Sequence, residues 1–194
     1  LKEGDNAFVA LSWSTNPSPQ TYEEAVDKMW QTSEAWRQWI NIGQFPDHPW
    51  RAYLQRSALT LKGLTYSPTG ALLAASTTSL PETPGGERNW DYRYAWVRDS
   101  TFALWGLYTL GLDREADDFF AFIADVSGAN NGERQPLQVM YAVGGERELV
   151  EEELTHLSGY DNARPVRIGN GAYNQRQHDI WGTMLDSVYL HTKS

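Results

Sequence analysis

Aromatic and charged residues alternate within one short segment of the chain, from Asn89 to Ser100. Its rings occupy every second position, at Trp90, Tyr92, Tyr94 and Trp96. Since alternate residues of an extended chain face the same side, these rings would line one face. A sugar has apolar C–H faces, against which aromatic rings pack, and hydroxyls, which fixed charged groups bind. Aromatic rings together with charged groups therefore suit a sugar. The segment therefore has the chemistry of a carbohydrate-binding strip.

The polar half of such a strip would be Arg98 and Asp99, at its C-terminal end. A guanidinium donates several hydrogen bonds from a rigid fork, and a carboxylate can accept from two adjacent hydroxyls. A hydrogen bond to a charged group contributes about 1.5–3 kcal/mol. The residue types are equally consistent with a structural role, in which Asp99 caps a helix, Arg98 forms an ordinary ion pair and the rings fill a core.

Composition limits the possible partners of this 194-residue chain. A formal net charge of −9 opposes binding to nucleic acid, because such a site needs clustered cations. No apolar run approaches the roughly 18 residues of a membrane-spanning helix, so no membrane partner is expected. The chain has no Cys, and its four His lack metal-binding spacing, so no metal is expected. Gly169-Asn170-Gly171 is too weak a signal for a phosphate-binding loop, and no cofactor is expected. The oligomeric state and the compartment stay open, with the cytoplasm slightly favoured.

The segments before the strip are expected to form one strand and two helices. Phe8–Trp13 has the composition of a short β-strand, which would belong to a β domain. Thr21 and Glu24 have the spacing of a capping box, and the apolar pattern after them predicts a long connecting helix. A second helix is predicted after Asp47–Trp50.

Four further helices are predicted after the strip begins. The first ends at Gly111, and Asp113 begins the second. Apolar spacing predicts a short helix over residues 149–157, with the acidic run Glu151–Glu153 on its solvated face. The same spacing predicts a last helix over residues 173–188.

The order of these elements predicts an all-α architecture, because no alternation of strands and helices after residue 20 could build a parallel sheet. The loops over residues 63–96 and 127–170 are far longer than those that usually join packed helices. Long loops in compact domains tend to be functional. We therefore expect these loops to contribute to a site.

Four stretches of the sequence resemble a known family, in order and in spacing. They are Tyr66–Ala71, Thr77–Glu82, Asn89–Ser100 and Pro165–Asn170. The family is glycoside hydrolase family 15, which contains glucoamylases, glucodextranases and bacterial α,α-trehalases. The resemblance implies the first part of a six-hairpin α/α barrel (toroid), preceded by the last strand of an N-terminal β-sandwich. It divides the chain into the end of the β domain and a linker (1–20), a connecting helix (21–45) and a partial barrel (46–194).

The same resemblance implies a set of substrate-binding residues. They are Tyr92, Trp96, Arg98, Asp99, Gln177 and Asp179. The Arg–Asp pair would hold the non-reducing terminal glucose, the tyrosine would lie near the reacting centre, and the last two residues belong to a second loop-to-helix junction. Asp91 and Tyr94 are expected to support the motif. Asp179 is equally consistent with an exposed acid on a helix.

The resemblance also implies where the catalytic residues lie. Inverting members of the family use one Glu as general acid and another as base for the attacking water. The acid follows a Trp, and no Trp-Glu dipeptide occurs in this chain. Both glutamates are therefore expected beyond Ser194, and no local Glu is assigned as catalytic. The implied function is inverting hydrolysis of α-glucosidic bonds that releases a terminal glucose, with this chain supplying the sugar-binding half of the site.

Several alternatives remain open from the sequence. The substrate could be any α-glucoside or α-glucan with a terminal glucose: trehalose, a maltodextrin or an isomalto-linked glucan. The Thr77–Arg88 loop slightly favours a trehalase. Related barrels also occur as non-catalytic regulatory domains that bind glucans, and the motif alone does not separate these from hydrolases. A third alternative is that 194 residues are a truncated gene product.

Overall fold

The computed structural model describes residues 2–13, 17–128 and 135–193. Part of the predicted loop over residues 127–170 and the last residue, Ser194, lie outside them. The chain divides into two compact units, Leu1–Gly43 and Gln44–Ser194. Among the described helices, none is both long and apolar enough to cross a membrane.

The first unit contains one long helix, α1 (Tyr22–Ile42), as the sequence predicts. The side chain of Thr21 accepts a hydrogen bond from the backbone N–H of Glu24 at 3.2 Å. The carboxylate of Glu24 reaches back to the backbone N–H of Gln20, at 2.7 Å. The first bond is the N-cap bond of a capping box, and the second goes to the residue before the N-cap instead of to the N-cap itself, so the predicted capping box is confirmed in part.

The predicted strand over Phe8–Trp13 does not form in the structure. A β-strand needs hydrogen bonds to a neighbouring strand, and no other described segment pairs with these residues. The β-sandwich that this strand would belong to stays a prediction.

The second unit is rich in helices, with short strands in the segments between them. Its helices are α2 (Arg51–Gly63), α3 (Val97–Thr109), α4 (Arg114–Val126) and α5 (Asp179–His191). Its strands are β1 (Thr65–Tyr66), β2 (Ala71–Leu72), β3 (Ala95–Trp96), β4 (Met140–Tyr141), β5 (Glu152–Glu153) and β6 (Arg167–Ile168). The strands form three antiparallel pairs, β1 with β2, β3 with β4 and β5 with β6. A helix-rich fold is thus confirmed and is compatible with part of an α/α barrel, although the chain is not purely α-helical.

The helix predicted over residues 149–157 is wrong, and so is the solvated helix face assigned to its acidic run. Leu149 lies in the core, Glu152 and Glu153 form strand β5, and these residues pair with Ile168 and Arg167 of strand β6. The apolar spacing suited a helix, but the pairing partner lies about fifteen residues further along the chain, where local periodicity cannot reveal it. The helix predicted over residues 173–188 is confirmed in part, since α5 begins at Asp179 and Tyr173 lies in a short 3₁₀ turn.

Among the residues that the structure describes, two hydrophobic clusters meet at strand β3. Ala95 and Val97 pack into the first cluster, with Leu104 and the ring of Phe119, whereas Trp96 packs into the second. Neighbouring residues of a strand point to opposite faces, so this short strand contributes to both clusters. The strand therefore fixes the backbone immediately before Arg98 and Asp99.

Candidate functional site

The charged pair of the strip lies where strand β3 runs directly into helix α3. The backbone N–H of Val97, the first helical residue, donates to the carbonyl of Val139 at 3.1 Å, which ties the helix start to the chain before β4. Arg98 and Asp99 therefore occupy the first turn of α3. An acidic side chain is favoured there, because the N-terminal end of a helix carries partial positive charge.

Arg98 joins the two loop-to-helix junctions that the sequence singles out. Its Nη1 atom donates to Gln177 Oε1 at 3.0 Å and to Asp179 Oδ2 at 2.6 Å. Asp179 is the first residue of α5, and α5 packs on α3 through a buried hydrogen bond of 2.7 Å between Ser187 and Thr101. The packing of these two helices brings Arg98 next to Gln177 and Asp179, two predicted site residues that lie about eighty positions further along the chain.

The pKa values of the two acids beside Arg98, Asp99 and Asp179, are shifted in opposite directions. The hydrogen bond from Arg98 lowers the pKa of Asp179 below its usual value. The pKa of Asp99 is raised, because surrounding protein atoms desolvate its carboxylate, and the charge of Arg98 only partly offsets this. Asp99 is nevertheless exposed to solvent. Asp179 is thus paired with Arg98, whereas the carboxylate of Asp99 has no hydrogen bond to another side chain of the described residues and can accept from a ligand.

Two rings of the strip stand beside this pair. The centroids of Tyr92 and Trp96 lie 6.2 Å apart, and their planes are tilted by 54°. Tyr92 is 38% exposed, whereas Trp96 is 8% exposed because most of its ring packs in the second core cluster. Partial burial raises the pKa of the Tyr92 hydroxyl, so it stays a neutral donor at physiological pH.

These groups line a pocket of about 370 Å³, here called the Asp99 pocket. Its walls are Ala74, Ala75, Tyr92, Trp96, Arg98 and Asp99. Backbone hydrogen bonds from Ala74 to Tyr94 and from Ala75 to Tyr92, both of 3.0 Å, hold the small residues opposite the strip. Four of the six residues predicted to bind substrate therefore share one pocket, which combines rings, a guanidinium and a carboxylate.

A second pocket, of about 430 Å³, is here called the Glu151 pocket. Its walls are Arg88, Trp90, Tyr92, Trp96, Glu151, Asn170, Gly171, Ala172, Gln175 and Gln177. Tyr92 and Trp96 belong to both pockets, and Gln177 lines this one while its oxygen binds Arg98. Asp179 lines neither pocket, so its contact with Arg98 is the role that the geometry gives it.

Sequence reasoning missed the other polar walls of the Glu151 pocket. Glu151 is assigned by the sequence pattern to a solvated helix face, and no site role is predicted for Arg88, Asn170 or Gln175. Two signals point to this region: the long loops at 63–96 and 127–170, which both contribute to the pocket, and the family-like stretch that ends at Asn170. Their pairing depends on contacts between distant segments, which a local pattern does not contain.

Asp91 and Tyr94, two residues of the strip that line neither pocket, contact each other, as expected of supporting residues. Asp91 is fully buried and binds Arg93 through both carboxylate oxygens, at 2.9 and 2.8 Å. The Tyr94 hydroxyl lies 3.4 Å from the same carboxylate. The side chain of Asn170 donates to the Asp91 carbonyl at 2.9 Å. A buried charge with these partners holds the backbone of the strip against the 149–170 segment.

The loop before the strip is closed on itself at several points. The N–H of Ser79 donates to the carbonyl of Trp90 at 3.1 Å, and Arg88 Nε donates to Glu82 Oε2 at 2.7 Å. The Arg88 guanidinium also lies over the Trp90 ring, 5.1 Å from its centroid. These bonds present a cation and a ring together at the Glu151 pocket.

The described residues contain no group of three or more His, Cys, Asp or Glu side chains that could hold a metal ion. The polar groups of both pockets are guanidinium, carboxylate, phenol and amide. This set of donors and acceptors, together with the rings, fits a neutral polyhydroxylated ligand.

Comparisons with known proteins agree with this chemistry. A sequence model described as "Glycosyl hydrolases family 15" matches residues 49–194. Over its full length the chain is 90% identical to a trehalase of Mycolicibacterium smegmatis and 87% identical to a trehalase of Mycobacterium tuberculosis. It is 39% identical, over 91% of its length, to a trehalase of Thermoplasma acidophilum.

The chain covers 29%, 28% and 29% of these three relatives, respectively. It therefore spans less than a third of their length. No solved structure matched the chain.

Proposed function

Because the chain belongs to family 15 of the glycosyl hydrolases, we propose that the intact protein hydrolyses the α-glucosidic bond of trehalose. The curated relatives named trehalases, two of them close to 90% identical, support this choice of substrate. In this proposal the Asp99 pocket holds the terminal glucose whose bond to the leaving sugar is cleaved.

The observation that carries the proposal is the arrangement of Arg98 and Asp99. Arg98 is held in one orientation, and the carboxylate of Asp99 beside it accepts no hydrogen bond from another side chain of the described residues. Asp179 and Gln177 occupy one Nη atom of Arg98, so the guanidinium is oriented before any ligand arrives. Its other N–H groups can donate to sugar hydroxyls, and Asp99 can accept from two adjacent hydroxyls. A guanidinium that is held in this way loses little side-chain entropy when a sugar binds.

The rings have a separate task in this proposal. Tyr92 and Trp96 are tilted against each other at the wall that the two pockets share, so they can cover the apolar face of a sugar on either side. Excluding water from this wall strengthens the hydrogen bonds to the charged pair. Positioning the reacting carbon in this way contributes to the rate because it removes translational and rotational freedom before the chemical step.

Cleavage itself would follow the inverting scheme of two carboxyl groups. A general acid donates its proton to the glycosidic oxygen, and a general base takes a proton from the water that attacks the anomeric carbon from the opposite face. We propose that both glutamates belong to parts of the intact protein outside this chain. The chain would then supply the sugar-binding half of the active site.

The test is to incubate the intact protein with trehalose, maltose and isomaltose and to follow the products by proton NMR. We expect trehalose to be cleaved fastest, because the most similar curated relatives described above are named trehalases. Inversion at the attacked carbon makes β-glucose the first product from that unit. Initial release of α-glucose alone would overturn the inverting mechanism, and saturable binding of glucans without cleavage would favour a regulatory domain.

A further inference from the structure

We propose that Glu151 is a specificity-determining residue that, held in place by Arg167, accepts hydrogen bonds from the hydroxyls of the leaving sugar. The inference rests on the proposed function, since it assigns the second glucose of the disaccharide to the Glu151 pocket. Glu151 lies outside the four stretches that resemble the family. It belongs to the segment 149–157, for which the sequence pattern wrongly predicts a helix.

Glu151 is fixed by contacts on both carboxylate oxygens. Oε1 accepts from Arg167 Nη1 at 2.9 Å, and Oε2 accepts from the backbone N–H of Gly171 at 3.3 Å. A carboxylate has about four acceptor positions, so these bonds leave about two of them for a ligand. The side chain is 26% exposed, and it lines the pocket together with the rings of the strip. It is therefore oriented, charged and accessible.

Arg167 is itself held by residues of the loop that precedes the strip. Its backbone N–H donates to Ser79 Oγ at 2.8 Å, and its carbonyl accepts from Thr78 Oγ1 at 2.6 Å. Its side chain is only 17% exposed. Arg167 thus connects strand β6, the carboxylate of Glu151 and the Thr78–Ser79 turn, which makes it the positioning residue for Glu151.

The neighbouring Glu153 provides an internal contrast. It also binds Arg167 Nη1, at 3.2 Å, but its side chain is 53% exposed and it does not line the pocket. A purely structural role of either glutamate would change the activity on every substrate alike. A role in sugar recognition would distinguish them, because only Glu151 faces the pocket.

The position of the pocket explains why the ligand would be the leaving sugar. Tyr92 and Trp96 form a wall of both pockets, and Gln177 links them, since its oxygen binds Arg98 and its Nε2 donates to Gln175 at 3.0 Å. A glucose bound by Arg98 and Asp99 would place its glycosidic partner on the other side of this wall. Glu151 would then meet hydroxyls of that partner and none of the first glucose.

The experiment compares two substrates of the intact protein that share the first glucose. Trehalose carries a second sugar, whereas α-glucosyl fluoride carries fluoride as its leaving group. We expect Glu151→Ala to lower kcat/KM for trehalose by about 10- to 100-fold, the loss expected for hydrogen bonds to a charged group. The value for α-glucosyl fluoride should change less than about twofold.

Three further variants separate recognition from structure. Glu151→Gln keeps the size of the side chain and should give a smaller loss, again confined to trehalose. Arg167→Lys should raise KM for trehalose while kcat for α-glucosyl fluoride stays unchanged, because a positioning residue acts through Glu151. Glu153→Ala is the matched control and should leave both substrates unaffected.

Equal losses on both substrates for Glu151→Gln, in a protein that melts normally, would overturn the proposal. So would equal effects of Glu151→Ala and Glu153→Ala. If the intact protein cleaves maltose or isomaltose but not trehalose, the proposed substrate is wrong. The same comparison with that disaccharide then decides the role of Glu151 independently.

Discussion

The two pockets of this molecule are built in different ways, although they share the rings of Tyr92 and Trp96. The charged groups of the Asp99 pocket lie in the first turn of a helix, immediately after a strand that contributes to two core clusters. The polar groups of the Glu151 pocket lie on loops and short strands that distant hydrogen bonds hold together. One pocket therefore depends on local helix geometry, and the other depends on long-range contacts.

This difference predicts which substitutions should affect binding of the first glucose and which should affect binding of the leaving sugar. A change at the helix start should weaken binding of the first glucose, whatever leaving group it carries. A change in the loop contacts should act on the leaving sugar and on stability. The following variants, all in the intact protein, test that distinction in order of expected effect.

The largest effect is expected for Asp99→Ala. In the proposed function Asp99 accepts from two sugar hydroxyls, so removal of its carboxylate should lower kcat/KM by about two orders of magnitude, equivalent to about 3 kcal/mol. Steady-state kinetics should show a similar loss on trehalose and on α-glucosyl fluoride, because both present the same first glucose. Near-normal activity in a normally folded variant would show that Asp99 does not bind the sugar.

Gly169→Ala should damage the loop-built pocket. Gly169 has a φ of +74°, and a Cβ atom there would lie 1.8 Å from the carbonyl oxygen of Val150. Strain of this kind should cost about 2–4 kcal/mol, seen as a lower Tm, with a greater loss of activity on trehalose than on α-glucosyl fluoride.

The matched control for that change is Gly182→Ala, within helix α5. Apart from its two chain neighbours and the backbone of its own helix, no atom of the described residues lies within 4 Å of the Cβ position there, and the backbone is helical. Alanine should therefore raise stability by about 0.5–1 kcal/mol. An unchanged Tm for Gly169→Ala would contradict the close approach of Gly169 to Val150.

Asp179→Asn should have a modest effect, because Asp179 acts through Arg98 across an exposed ion pair. We expect kcat/KM to fall by about three- to fivefold on both substrates, since Gln177 still binds the same guanidinium nitrogen. A loss as large as that of Asp99→Ala would show instead that Asp179 contacts the sugar directly.

The smallest effect concerns pH. Desolvation raises the pKa of Asp99, so its charged form is present only above that raised value, which is higher than the usual value of about 3.9. Affinity for glucose should therefore fall on acidification at a pH above the ordinary aspartate range. Calorimetric titration with glucose would measure this, and Asp99→Asn should abolish that dependence. Retention of full affinity below pH 4 would contradict it.

The sequence revealed the parts of this fold that depend on neighbouring residues. Thr21 and Glu24 marked the start of α1, Gly111 marked the end of α3, and the strip around Arg98 identified the Asp99 pocket. Each of these signals lies within a few residues of the structure it specifies, because caps, turns and helix starts are local interactions.

The residues of the Glu151 pocket could not be found in the same way. Leu149 and Leu157 fit a helical spacing, but the segment is not a helix. Leu149 packs in the core, and Glu152 pairs with Ile168 of strand β6. Glu151 becomes a pocket residue only because Arg167 and Gly171 lie beside it in the folded chain. Side-chain types do not encode such proximity, so residue-by-residue reasoning assigned the whole acidic run to solvent.

The short strand β3 also limits how this segment can evolve. Ala95 and Val97 belong to one core cluster and Trp96 to the other, so a single inserted or deleted residue would exchange the two faces. A shift in one direction would place Arg98 at the buried position of Val97 and remove it from Asp179, and a shift in the other would place the large ring of Trp96 there. The segment can therefore accept changes of residue type more readily than any change of length.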